Sequence, residues 1–196
     1  NFVMMGLIDF DDPGLRVLPY HRVLGGLDAG TLAQVKQSIG QLFDMETLTI
    51  GSSTLDTLVR EIELKGSQKQ VIGLLETGGS GKHEGDSLEL LTLKPGTQPQ
   101  NAGPVAESEA WTLEEQVLRP VLGNQLGKHL DYVHDQEEAI RKLRTGEYQL
   151  VFFVKSFPLD LFKRIMDSGQ KLPPKSTFFY PKLPTGLVIN PLEEKL

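Results

Sequence analysis

The residues best suited to hold a ligand lie close together near the C-terminus, in Lys175-Ser176-Thr177-Phe178-Phe179-Tyr180-Pro181-Lys182. Lysine supplies a point charge, and Ser, Thr and Tyr supply directional donors, a combination that matches a phosphate or carboxylate. Lys175, Ser176, Thr177, Tyr180 and Lys182 are the expected ligand contacts. The alternative for the same stretch is a proline-stiffened tail whose aromatics pack on the core. Charge sets it apart in either case: residues 155–196 hold seven Lys/Arg and four Asp/Glu, whereas residues 1–154 hold 13 against 22.

A second candidate is His21-Arg22, just after Pro19-Tyr20. Arg22 offers a planar fork that grips an oxyanion through two bonds. His21 is the only candidate for a catalytic role, as an acid if a nearby anion favours its protonated ring. Equally, the pair reads as a strand end with solvated side chains. His134 precedes a helix-capping Asp135 and is expected to make a structural hydrogen bond.

Several other patterns fail on inspection. Gly78-Gly79-Ser80-Gly81-Lys82 suggests a phosphate loop, but Glu76 stands at the first glycine position and His83 where Ser/Thr belongs. A strand rather than a helix is expected after it, so the stretch reads as a flexible hairpin loop. Asp9, Asp11 and Asp12 fall on an Asp-Pro-Gly turn, and Pro13 and Tyr20 occupy positions where a calcium loop needs oxygen ligands. The four histidines have no metal-binding spacing, and with no cysteine there is neither a thiolate site nor a disulfide. No metal site is expected, and no cofactor is indicated.

These residues need a scaffold, and 196 residues with 39% hydrophobic side chains suffice for one. Asp28 is placed to cap a helix to about Phe43, with Leu32, Val35, Ile39 and Leu42 at helical spacing. A strand over residues 47–50 and a helix capped by Ser52 or Ser53 follow. Strands at Val71–Leu75 and Leu88–Leu93 form a hairpin, and a second hairpin is expected around the Asp-Pro-Gly turn at the start. Residues 95–110 read as a loop or linker. Then come a helix from Thr112 with Pro120 in its last turn, a strand at Leu130–Val133, and a helix capped by Asp135. The apolar run Gln149–Val154 reads as a central strand. A helix from Pro158 follows, and short strands at Ser176–Tyr180 and Gly186–Ile189 end the chain. The expected class is α+β, a mixed α/β sheet with interleaved helices and two hairpins. The organisation is two α/β segments, 1–94 and 111–196, joined by 95–110, or one continuous domain.

The net charge of −6 argues against nucleic-acid binding, and the longest wholly apolar run, Leu150–Val154, is far too short to cross a membrane. The chain also begins without Met inside an apolar run, Asn1-Phe2-Val3-Met4-Met5-Gly6-Leu7-Ile8, as expected for a piece of a longer protein.

Three stretches together resemble a known family. They are Asp12-Pro13-Gly14-Leu15 through Leu18-Pro19-Tyr20-His21-Arg22, then Gly146-Glu147-Tyr148-Gln149, and above all residues 174–188, from Pro174-Lys175-Ser176 to Gly186-Leu187-Val188. They resemble the C-terminal half of the bacterial domain-of-unknown-function family numbered one thousand and fifteen. The resemblance implies a longer cytoplasmic parent whose N-terminal half carries an Asp-Gly-His-His-Arg-type motif. That motif is similar to one in the ParB/sulfiredoxin-like fold, which includes nucleotide-dependent free-serine kinases. No such motif occurs here. The implied role is therefore a domain inactive alone, packed on the N-terminal half and supplying one wall of a site for a phosphate-bearing small molecule. A kinase- or phosphatase-like parent follows only by analogy. The alternative is a structural or regulatory interaction domain with no ligand of its own.

Overall fold

The computed structural model describes residues 6–48, 54–67, 69–76, 87–182 and 186. Strands β1 (Arg16–Leu18) and β2 (His21–Gly25) precede helix α1 (Ala29–Leu42). Next come β3 (Phe43–Leu48), α2 (Thr54–Gly66), β4 (Val71–Glu76) and β5 (Ser87–Leu93). A helical stretch runs through α3 (Glu109–Trp111), a π segment (Thr112–Leu118) and α4 (Arg119–Leu122). After α5 (Leu126–His129) follow β6 (Leu130–Val133), α6 (Gln136–Arg144), β7 (Tyr148–Phe153), α7 (Leu159–Asp167) and β8 (Phe178–Tyr180).

The apolar strands occupy the middle of the molecule. Six of them form one antiparallel sheet in the order β3-β5-β4-β7-β2-β6. Strand β7 lies between β4 and β2, and Leu150, Val151 and Phe152 are fully buried there, as a continuous apolar run demands. Strands from both sides of residues 95–110 therefore interleave in a single sheet. Residues 95–110 are also packed rather than trailing: Val105, Ala106, Glu109 and Ala110 are buried, and Gln98 donates to Ala106 O at 3.1 Å.

Alternation along each strand splits the core into two faces. Leu24, Ile72, Leu74, Leu91 and Phe152 face α1 and the π segment. Val23, Val71, Leu75, Leu90 and Phe153 face α2 and α6. Gly73 belongs to this second face. A Cβ there would stand 2.7 Å from Leu58 Cδ1 and 3.0 Å from Ile62 Cδ1, so the missing side chain is what seats α2 on the sheet. Asp28 caps α1 by accepting from Thr31 N at 2.9 Å, and Asp135 caps α6 by accepting from Glu138 N at 2.7 Å.

The first strand expected for the opening hairpin, in residues 1–8, lies mostly outside the described residues, and residues 6–9 form no strand. Asp9 and Asp12 accept from Asp11 N and Gly14 N and close local turns, while the ladder of β1 goes to β8, with Val17 opposite Phe179. The helix expected from Thr112 starts earlier, at a Ser108 cap, and Thr112 is buried inside it with its hydroxyl donating to Gln70 Oε1 at 2.7 Å. The Gly78–Lys82 loop, Ser52 and Ser53, residues 49–50 and residues 187–189 lie outside the described residues.

Candidate functional site

His21 and Arg22 are adjacent in β2, so their side chains leave opposite faces of the sheet. Arg22 goes with Leu24 to the π-segment face and is completely buried. Its Nε and Nη2 donate to Glu114 Oε1 at 3.1 and 3.0 Å, and its Nη1 donates to Tyr20 O at 2.6 Å. The Tyr132 hydroxyl donates to Glu114 Oε2 at 3.3 Å, and the guanidinium carbon lies 5.5 Å from the centre of that ring. Burial pushes the Glu114 carboxyl up, and the charge of Arg22 opposes that shift. This pair neutralises itself inside the core, and Arg22 is not placed to clamp a ligand.

His21 goes with Val23 to the other face, 1% exposed, edge-on to Phe153 at 5.2 Å. Val154 N donates to His21 Nδ1 at 3.4 Å, which leaves the ring proton on Nε2. Nε2 is buried and has no hydrogen-bond partner among the described residues. A buried donor left unmatched costs about 1–3 kcal/mol. Burial first, and the neighbouring Arg22 charge second, lower the pKa of His21 to about 4, against a smaller opposing pull from Asp135. Near neutral pH the ring is therefore an uncharged donor rather than an acid.

His21 is among the residues that line an open cleft of about 420 Å³. Its walls come from α2 (Val59, Ile62, Glu63), the end of β7 with Lys155 and Ser156, and the first turn of α6 with His134, Asp135 and Glu137. The C-terminal candidates stand beside it. His134 stacks on Phe178 at 4.9 Å with the rings nearly parallel, and Tyr20 meets Phe178 edge-on at 5.5 Å. Lys175 Nζ sits 5.6 Å from the Tyr20 ring centre and Lys182 Nζ 4.7 Å from that of Phe178. Neither lysine has a carboxylate partner among the described residues. The structure thus brings Lys175 and Lys182 to the Tyr20–Phe178–His134 cluster, whereas His21 packs on Phe153, and the cleft lining includes His21 and His134 but neither lysine. Ser176 is spent locally, donating from Oγ to Pro173 O at 2.7 Å, Thr177 is half-buried, and Tyr180 is exposed on β8.

Sequence reasoning missed Glu63, Glu137 and Lys155 as cleft residues. Each looks like an ordinary solvated charge, and only the packing of α2 and α6 on one sheet face joins them. A larger cleft of about 460 Å³ lies on the far side of Lys155. Its strongest charges are paired: Arg164 grips Glu107 at 2.7 and 2.6 Å, Lys155 meets Glu109 at 3.0 Å, and Lys94 donates to Gly40 O at 2.6 Å. The His21 cleft is the better candidate, because among the described residues the buried Nε2 of His21 has neither a hydrogen bond nor an ion pair, whereas Glu109 Oε1 in the larger cleft is held by Lys155.

A family model described as "Protein of unknown function (DUF1015)" matches residues 1–110, more than half of the chain. The chain belongs to the DUF1015 family. No curated protein matches it. Among solved structures, this DUF1015 chain is similar to a free serine kinase in complex with AMP, at 14% identity and a TM-score of 0.44 over 88% of this chain and 56% of that one. A variant of a free serine kinase in complex with ADP gives 14% and 0.47 over 88% and 56%. A conserved hypothetical protein from Pyrococcus furiosus gives 14% and 0.45 over 88% and 59%. The DUF1015 chain thus spans less than two thirds of the length of each. Among its described residues, no helix is long and apolar enough to cross a membrane.

Proposed function

We propose that this chain is one half of a larger bacterial cytoplasmic protein, without turnover by itself, and that the His21 cleft is one wall of a small-molecule site. The ligand presents a phosphate or similar anionic acceptor, and the N-terminal half of the same parent completes the enclosure. The observation that carries this reading is the buried, unpartnered Nε2–H of His21, a residue that lines an open cleft. A ligand oxygen there would satisfy the donor and recover about 1–3 kcal/mol. Lys175 and Lys182, over the Tyr20 and Phe178 rings next to the lining residue His134, would hold the negative charge, and Thr177 and Tyr180 lie on the same segment.

Titration of the chain with propyl phosphate, followed through the imidazole nitrogen resonances, tests this directly. The His21 signals are expected to move in a saturable manner, and Lys175→Ala with Lys182→Ala should weaken the response several-fold. No movement at any concentration sinks the reading. That result would favour a structural domain, a role supported by the exposed apolar side chains of Leu7, Ile8 and Phe10 in one irregular segment.

A further inference from the structure

The lining of the His21 cleft draws apolar side chains from three parts of the fold. Leu18 and Pro19 come from the end of β1, Val59 and Ile62 from α2, and Phe153 and Val154 from the end of β7. Ile62, Phe153 and Val154 are buried. Leu18, Pro19 and Val59 are only half-buried, so each keeps hydrocarbon in contact with solvent. The same lining includes His21, whose buried Nε2–H has no hydrogen-bond partner among the described residues. Its carboxylates, Glu63, Asp135 and Glu137, are exposed, where water and salt screen them. Lys155 is already held by Glu109 and by the Gly66 carbonyl. An anion bonded to His21 would fill only part of a cleft of about 420 Å³ and would leave these apolar side chains wet. Small-molecule sites combine a few fixed polar groups with apolar lining of this kind.

We infer that the ligand of this cleft joins a short aliphatic body to its anionic group, the hydrocarbon lying against Leu18, Pro19, Val59 and Ile62 while the anionic group accepts from His21 Nε2. This rests on the proposed small-molecule site and specifies its ligand class. The unmatched donor is a sign of a ligand that does not depend on the apolar lining. A hydroxylated body is disfavoured, because a hydroxyl set against these side chains gives up water and gains no partner. Each methylene removed from water contributes about 0.8 kcal/mol, about a fourfold gain in affinity.

The test titrates three phosphate monoesters into the full chain, with the His21 imidazole resonances as the readout. They are methyl phosphate, propyl phosphate and glycerol phosphate, the last with the propyl frame carrying two hydroxyls. Propyl phosphate is expected to bind about tenfold more tightly than methyl phosphate, below the roughly sixteenfold that two fully buried methylenes allow. Glycerol phosphate should bind no more tightly than methyl phosphate. Val59→Thr, nearly equal in shape, should cut the propyl-over-methyl ratio at least twofold, with an unchanged backbone spectrum showing that the fold is kept. Equal binding of methyl and propyl phosphate overturns the aliphatic inference and leaves the anion site standing. Glycerol phosphate matching propyl phosphate, or a ratio unmoved by Val59→Thr, overturns it too. Failure of all three probes to move His21 overturns the inference and the site together.

Discussion

Lowering the pH should destabilise this protein through His21, by an amount the structure allows to be worked out. The ring titrates at about 4 in the folded chain against an ordinary value of 6.5. A histidine depressed by folding withdraws stability as pH falls, because the unfolded chain takes up its proton near 6.5 and the folded chain resists until about 4. The penalty starts near the higher value and saturates below the lower one. At about 1.4 kcal/mol per pH unit it totals about 3 kcal/mol, of which ~2 kcal/mol develops between about pH 7 and pH 5. For a domain of this size that corresponds to a Tm drop of about 4–8 °C. Arg22, on the same strand, and His134 reinforce the depression, and Asp135 opposes it. Glu109 and Glu114, both raised by burial, work in the other direction and gain stability on acidification. A difference measurement removes them. Urea unfolding of the wild type and of His21→Gln, which keeps an acceptor for Val154 N, should be run across this range. The wild type should lose ~2 kcal/mol more than the variant between the two pH values. Parallel stability curves would refute the reasoning, since they would mean that His21 titrates alike in the folded and unfolded chains.

Other substitutions probe separate parts of the structure by urea unfolding. Arg22→Met should cost about 3–5 kcal/mol because it strands the buried Glu114 carboxylate, and adding Glu114→Leu should recover part of that loss. Gly73→Val should cost about 1–3 kcal/mol by pushing Leu58 and Ile62 away from the sheet, seen as a lower midpoint with an unchanged slope. Lys175→Gly should gain about 1 kcal/mol, since Lys175 holds a φ of 56° that favours glycine, while propyl phosphate binding weakens. A site residue kept in a strained backbone conformation should give this opposite movement of stability and affinity.

Local signals explain what was legible in advance. Asp28 and Asp135 cap helices through bonds to residues three positions on, and the run ending in Phe152-Phe153 fits only a strand covered on both faces. The α+β class follows from such elements. What could not be read was pairing at a distance. Arg22 looks free to grip a ligand because its partner, Glu114, lies 92 positions away and reaches it only through the packing of the π segment on the sheet. β1 looks like half of a local hairpin because nothing near it announces β8. The candidate site shows the same division. Lys175 and Lys182 stand out by composition, whereas the carboxylates lining the His21 cleft come from α2 and the start of α6 and carry no pattern of their own.

The strand order has a consequence for how the chain reaches this state. In the sheet β2 pairs only with β6 and β7, and Leu24 lies opposite Leu130 and Leu150. Those partners are made long after it: at about 5–20 residues per second, β2 would leave the ribosome several seconds before β7 follows. Throughout that interval a strand destined for complete burial has no ladder to join. The matched stretch 1–110 is therefore a unit of sequence and not of folding. Cut there, it would keep the β3-β5-β4 half of the sheet but lack the strand that joins β2 to it. Slow, late closure dominated by distant contacts is the expected kinetic signature, and the His21 cleft, built on β2 and β7 together, can exist only once that closure is complete.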